Sequence, residues 1–216
     1  MALGPMIWDW PLRIWHWAFA AFIVFSLYSG LAGDIGLLEW HQRSGLVLLG
    51  LVVFRVGWGL WGGRYARFGH YWTTPRAFVD HFLRRGERRA HTSPGVALAV
   101  VLLLAVAVQV GTGLFATDDI FNEGPLNRYA SDEFARTATW IHHRAHWLVL
   151  GAGVVHLTAH AVYGLVLRDP TPLAMFTGRK RLELPATPHF WIRASVTSVL
   201  ALGVVLTVTY ADRLFG

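Results

Sequence analysis

Histidine is the residue type that gives this sequence its chemistry. Seven of the 11 histidines lie in or at the edge of apolar segments, namely His16, His41, His142, His143, His146, His156 and His160. An ionisable side chain inside a membrane is costly and usually functional, although a single one can simply hydrogen-bond a neighbouring helix. The chain has no cysteine, which excludes disulfides, iron–sulfur clusters held by thiolates and c-type haem attachment within it.

The spacing of two histidines suggests what they could bind. His142 and His156 are 14 residues apart, so on a helix they share nearly the same face and are separated by about 21 Å. Two ligands that far apart on one face suit two cofactors stacked across a hydrocarbon layer of about 30 Å. His146 and His160 have the same spacing, so geometry alone leaves the register open.

The elements that must position these histidines are apolar helices. The chain is 54% hydrophobic and 15% charged, and nearly uncharged segments of membrane-spanning length predict helices at about 14–33, 44–63, 94–117, 140–167 and 190–211. We therefore expect an all-α integral membrane helical bundle. Residues 1–181 would form a four-helix cofactor-binding domain, and 190–211 an additional transmembrane helix.

A shorter helix is predicted at about 75–85, on the inner membrane surface. Thr74 and Pro75 are typical of a helix start and Gly86 of its end, and Phe78 and Phe82 are one turn apart beside several arginines, as in interfacial helices. A solvated basic loop is the alternative interpretation of this segment.

The distribution of charge predicts the orientation. With the N-terminus in the cytoplasm, 13 of the 19 lysines and arginines fall in cytoplasmic segments, as short loops of membrane proteins favour. The C-terminus is then periplasmic, and the periplasmic face is acidic. The net charge of +6 reflects a basic face beside anionic lipid and does not indicate nucleic-acid binding.

This topology predicts which histidines face each other. His16 begins the first helix and meets His156 near the cytoplasmic face, whereas His41 begins the second helix and meets His142 near the periplasmic face. Zinc or copper would need three or four donors at one depth. Two facing histidines instead suit haem b, whose porphyrin supplies four ligands, and bis-histidine ligation favours electron transfer over oxygen chemistry.

Two arginines are candidates for binding haem propionates. Arg55 follows His41 by 14 residues and would share its face while lying closer to the cytoplasm, where a buried cation needs an anionic partner. Arg13 could bind a second propionate. Its alternative is to extend to the membrane interface.

At this point the sequence resembles a known family, the bacterial di-haem cytochrome b561 group that includes nickel-hydrogenase-type cytochrome b subunits. The similar stretches are "DWPLRIWHW", "WHQRSGLVLLGLVVFRVGWGLWGGRYARF", "GTGLF", "WIHHRAHWLVLGAGVVH" and "MFTGRK", within about residues 8–181. Counted back from Thr177, the family spacing selects His156 and hence His142. Many members have Glu where this chain has His143, which leaves open whether His142 or His143 is the ligand.

The resemblance implies electron transfer through two b-type haems in the bacterial inner membrane, between the quinone pool and a periplasmic c-type cytochrome or redox enzyme subunit. Alternatives are a haem-bearing anchor subunit of a larger hydrogenase or dehydrogenase complex, and a stand-alone superoxide:quinone oxidoreductase. A further alternative is a haem-free, histidine-based metal or proton transporter. No catalytic side chain is predicted, because the cofactor does the chemistry; a second copy of the chain is a further candidate partner.

Overall fold

The computed structural model describes residues 5–83, 92–120, 122–169, 171–180, 185 and 190–215. In these ranges the chain forms eight α-helices: α1 Trp10–Leu31, α2 Ile35–Trp61, α3 Pro75–Phe82, α4 Ser93–Gly113, α5 Asp132–Ala161, α6 Ala174–Thr177, α7 Trp191–Thr209 and α8 Ala211–Phe215. Five of them (α1, α2, α4, α5 and α7) are long and apolar enough to cross a membrane. The predicted all-α membrane bundle is therefore confirmed.

Helix caps explain why two spanning helices begin before their apolar segments. The carboxylate of Asp9 accepts a hydrogen bond from the backbone N–H of Leu12, so α1 begins at Trp10 rather than near residue 14. Ser131 caps α5 through the N–H of Phe134, so that helix begins well before residue 140. Capping side chains satisfy the free N–H groups of the first turn, and they mark a helix start that hydropathy does not reveal.

The short helix α3 begins as its sequence indicates. The hydroxyl of Thr74 accepts a hydrogen bond from the N–H of Ala77, and Pro75 occupies the first helical position. Leu83 follows the last helical residue, Phe82. Gly86, where the sequence suggested the helix would stop, lies outside the described residues.

The spanning helices leave a gap inside the bundle. Helix α2 packs against α1, α4 and α7, and α5 packs against α4, but α5 makes few close backbone contacts with α1 or α2. We call the end of the bundle that holds the start of α1 and the end of α5 the N-side. The end that holds the start of α2 and the start of α5 is the C-side. On the C-side, this gap lies between α5 and the α1–α2 pair.

The start of the chain closes the N-side. The backbone N–H groups of Ile7 and Trp8 donate to the carbonyl of Gly178, at 2.8 and 3.1 Å, and Gly178 adopts the left-handed conformation that ends α6. Trp58, fully buried on α2, donates its indole N–H to the Asp9 carboxylate at 3.2 Å. These contacts hold the residues before α1, the end of α6 and helix α2 together around one buried core.

Helix α7 packs on the outside of α2. The indole N–H of Trp61 donates to the hydroxyl of Thr197 at 2.9 Å, and Arg193 donates to the carbonyl of Trp61 at 3.0 Å. A Cβ at Gly57 would lie 2.8 Å from the Thr197 methyl group, so the glycine lets the two helices approach closely. The fifth spanning helix, α7, thus packs tightly against α2.

Candidate cofactor sites

The first candidate site lies on the C-side, between α2 and α5. The ring centres of His41 and His142 are 6.0 Å apart, at an interplanar angle of 77°. Metal–imidazole bonds of about 2 Å place the centres of two rings that share one metal about 6 Å apart. The neighbouring His143 is exposed. The structure thus brings together the pair His41 and His142 at a separation that suits one metal atom between them.

Hydrogen bonds orient both of these imidazoles. Nδ1 of His41 donates to the carbonyl oxygen of Ser26, and Nδ1 of His142 donates to that of Gln109, both at 2.9 Å. A carbonyl oxygen can only accept, so each Nδ1 carries the proton and each Nε2 is unprotonated. The Gln109 amide nitrogen lies 3.4 Å from Nε2 of His142 and donates to it in this structure. Metal-binding histidines are commonly held in this way.

A cavity of about 450 Å³ surrounds the C-side pair, within the range of cofactor sites. Gly45 lines it, and a Cβ there would meet no described atom within 4 Å, so the space beside the helix is open. The side chains of Gln109 and His146 also line the cavity. Each has a buried polar atom, Oε1 and Nε2 respectively, for which the described part of the chain supplies no hydrogen-bond partner.

The second candidate site lies on the N-side, between α1 and α5. The ring centres of His16 and His156 are 6.3 Å apart, at an interplanar angle of 48°, so this pair repeats the spacing of the first. Nδ1 of His16 is buried and has no hydrogen-bond partner among the described residues. The ring of His160 lies 4.5 Å from that of His156, beside the pair rather than across from His16.

Both predicted arginines are buried on the N-side. Arg55 is 3% exposed; its Nη2 donates to the hydroxyl of Tyr71, while its buried Nη1 has no partner in the described ranges. Arg13 is 7% exposed, donates from Nε to the carbonyl of Met175 at 3.1 Å, and stacks 4.1 Å from the Trp10 ring centre. Arg13 therefore does not extend to the interface, and Arg55 keeps a donor free for an anionic group.

The donor set suits a cofactor that brings ligands of its own. Across the described residues, no three His, Asp or Glu side chains form a group that could hold a metal ion. The two rings of each pair come from different helices, at a separation that suits one metal atom between them. A haem iron needs two such axial ligands, and a buried guanidinium suits its propionates. The residues present therefore fit haem.

Sequence reasoning missed several residues around these sites. Ser26 and Gln109 form hydrogen bonds with the candidate ligands His41 and His142, and Tyr71 forms one with Arg55. Gly30 and Gly113 lie against the C-side imidazoles. None of them stands out by residue type or spacing, because each contact joins separate elements of the chain and depends on how those elements pack.

Comparison with known proteins identifies a family. The family model described as prokaryotic cytochrome b561 matches residues 7–178. The match includes both histidine pairs and both arginines and ends before α7. No curated protein and no solved structure gives a significant match to the chain.

Proposed function

The chain belongs to the prokaryotic cytochrome b561 family, and we propose that it transfers electrons through two b-type haems, one held by each histidine pair. Membership of the family makes it a multi-pass membrane protein that binds b-type haem and carries electrons. The observation that supports the finer proposal is the recurrence of one geometry, two imidazoles with ring centres 6.0 and 6.3 Å apart, at both ends of the bundle.

Each residue of a pair has a defined role in this proposal. On the C-side, His41 and His142 present Nε2 to the iron because Nδ1 is bonded to a carbonyl. On the N-side, His16 and His156 face each other across the gap beside α5. Haem would supply reversible one-electron chemistry there, and ligation by two histidines would favour electron transfer over oxygen chemistry. The protein orients the ligands and keeps water away from them.

Arg55 and Arg13 bind the propionates of the N-side haem. Nη1 of Arg55 is a buried donor with no partner among the described residues, and a bare cation in a membrane interior is unfavourable without an anion. Tyr71 fixes the Arg55 side chain through its hydroxyl. Met175 does the same for Arg13 through its carbonyl. Both guanidinium groups are thus held in place before a carboxylate binds.

The two sites lie at different depths. His142 and His156 are 14 residues apart on the continuous helix α5, which corresponds to about 21 Å along its axis. The hydrocarbon core of a bilayer is about 30 Å thick. Haems held at these two positions would together span most of the hydrocarbon core of the membrane.

We infer the partners from the two faces. The basic N-side faces the cytoplasm of a bacterium and the C-side faces the periplasm, because lysines and arginines favour cytoplasmic loops. Exposed carboxylates on the C-side, among them Glu123, Asp132 and Glu133, attract a basic redox protein such as a c-type cytochrome. The quinone pool exchanges electrons with the chain from within the membrane. Co-purification with a large periplasmic enzyme would instead indicate an anchor subunit.

The test of this proposal is the haem content of histidine variants. The purified protein should contain two b-type haems per chain, counted by pyridine haemochrome, with a low-spin bis-histidine spectrum. His41→Ala and His142→Ala should each remove the same haem, and His16→Ala and His156→Ala the other. A haem-free bundle, or variants that pair His16 with His41, would contradict the proposal.

A further inference from the structure

His41, the C-side histidine of α2, packs against α1. It contacts a backbone carbonyl and a glycine that are one helical turn apart. Nδ1 of His41 donates to the carbonyl of Ser26, and Gly30 follows Ser26 by four residues. A Cβ built on Gly30 would lie 2.7 Å from Cε1 and 2.9 Å from Nδ1 of His41. Any side chain at position 30 would therefore displace the imidazole from its acceptor.

The C-side histidine of α5 is seated on α4 in the same way. Nδ1 of His142 donates to the carbonyl of Gln109, and Gly113 follows Gln109 by four residues. A Cβ on Gly113 would lie 2.9 Å from Cε1 and 3.1 Å from Nδ1 of His142. Two unrelated helices thus present one arrangement, a carbonyl at position i and a glycine at i+4, to the two facing imidazoles.

Helix geometry gives the physical reason for this arrangement. The carbonyl of residue i already accepts the N–H of residue i+4, but its oxygen has a second lone pair. A side chain that reaches this lone pair from a neighbouring helix passes beside Cβ of residue i+4, and glycine has no such atom. Gly30 and Gly113 thus leave the path to the carbonyl oxygen open for an imidazole.

We propose that Gly30 and Gly113 are positioning residues that fix Nδ1 protonation of the C-side pair, and that the C-side haem consequently has the lower reduction potential of the two. The inference rests on the proposed function, since it requires both haem sites. An imidazole that donates from Nδ1 to a carbonyl is a stronger base at Nε2. A stronger donor stabilises ferric iron relative to ferrous iron, which lowers the potential.

The N-side pair lacks this hydrogen bond on one of its members. Nδ1 of His16 is buried and the described part of the protein offers it no acceptor. His16 is therefore the weaker electron donor, and the N-side haem retains the higher potential.

Nearby charged side chains also favour a lower reduction potential for the C-side haem than for the N-side haem. The described residues that line the C-side cavity include Asp118 and Glu123 but no lysine or arginine, whereas Arg13 and Arg55 are buried on the N-side. Reduction makes a haem more negative by one unit, so nearby carboxylates oppose it and nearby guanidinium groups favour it. Such effects are stronger in a low-dielectric interior than in water.

The order of the potentials is tested with one haem at a time. His16→Ala should leave only the C-side haem and His142→Ala only the N-side haem, each measured by spectroelectrochemical titration. The haem that remains in His16→Ala is expected to have the lower midpoint potential. Equal or reversed midpoints would overturn the inference while leaving the two-haem proposal intact. Failure of either variant to retain one haem would count against the proposed function instead.

The role of the glycines is tested in the holoprotein. Gly113→Ala and Gly30→Ala should each raise the midpoint potential of the C-side haem and shift its low-spin EPR signal, or release that haem alone. Gly111→Ala is the matched control on α4, because a Cβ there would meet no described atom within 4 Å. Unchanged potentials and EPR signals in both variants, or equal shifts of both haems, would overturn the positioning role.

Discussion

The two ends of α5 each carry one member of a facing histidine pair, in different surroundings. His142 and His156 each face a histidine from another helix at nearly equal separation. On the C-side, both imidazoles are fixed by backbone carbonyls beside an open cavity. On the N-side, Nδ1 of His16 has no acceptor in the described structure. The comparison shows that helix spacing sets where a ligand pair forms, while neighbouring helices decide how its imidazoles are held.

The ends also differ in what closes them. The N-side is sealed by the start of the chain, which bonds to Gly178, and it buries two arginines. The C-side cavity is bordered by a loop with exposed carboxylates. Among the described residues, the two buried arginines therefore both lie on the N-side. The following four changes test this contrast, from the largest expected effect to the smallest.

Replacement of His142, compared with replacement of its neighbour His143, should give the largest change in haem content. His142→Ala is expected to lower the haem content from two to one per chain, while His143→Ala keeps both haems, because His142 faces His41 and His143 is exposed. Haem per chain in the purified variants measures this. Loss of a haem in His143→Ala with retention in His142→Ala would reverse the ligand assignment.

Removal of the buried cation should affect one end only. Arg55→Met is expected to lower the midpoint potential of the N-side haem and leave that of the C-side haem unchanged, because a positive charge beside the reduced haem is lost. Arg55→Lys keeps the charge without the planar fork and should shift the potential less. Redox titration of the two-haem protein measures both values; a shift shared by both haems would contradict the assignment of Arg55 to the N-side.

Loss of the N-side cap should destabilise the fold. Asp9→Ala removes the cap of α1 and the acceptor of the Trp58 indole, and such losses typically reduce the free energy of unfolding by about 1–3 kcal/mol. Asp9→Asn is the matched control, since its amide oxygen can still accept. Thermal unfolding in detergent, followed through the N-side haem spectrum, measures the effect. Equal stability of Asp9→Ala and the wild type would contradict it.

An exposed ion pair on the C-side should matter least. Arg128 and Asp212 are 2.8 Å apart and more than half exposed, and such pairs contribute at most about 1 kcal/mol. Asp212→Asn is therefore expected to leave both haem potentials unchanged and to lower the unfolding temperature only slightly. A large loss of the C-side haem would show that α8 supports that site more strongly than its contacts indicate.

Much of the architecture could be predicted from the sequence because it depends on local properties. Apolar length revealed the five spanning helices, and Thr74 with Pro75 indicated the start of α3, where the structure places one. The helix starts at Trp10 and Asp132 were harder to predict. They depend on caps at Asp9 and Ser131, which lie outside the apolar segments that signal a span.

Some features of the candidate sites could also be predicted from local properties, and others could not. The depth of each histidine follows from its position along its own helix, so topology predicted a partner for His16 near the end of α5 and one for His41 near its start. The choice of His156 and His142 came from the family resemblance. The contacts of the imidazoles with Gly30 and Gly113 could not be predicted, because they depend on the distance between two helices and on how each helix is rotated.

The sequence by itself therefore determined the number of spanning helices, the depth of each candidate histidine and the burial of Arg55, because each follows from hydropathy and helical periodicity. Only the tertiary structure decided that α7 packs on α2, that Arg13 stays buried against Met175, and which carbonyl holds each imidazole. These depend on contacts between residues distant in sequence. The physical reason is that a single helix sets the direction of its side chains, but the distance across a bundle is set by all the helices together.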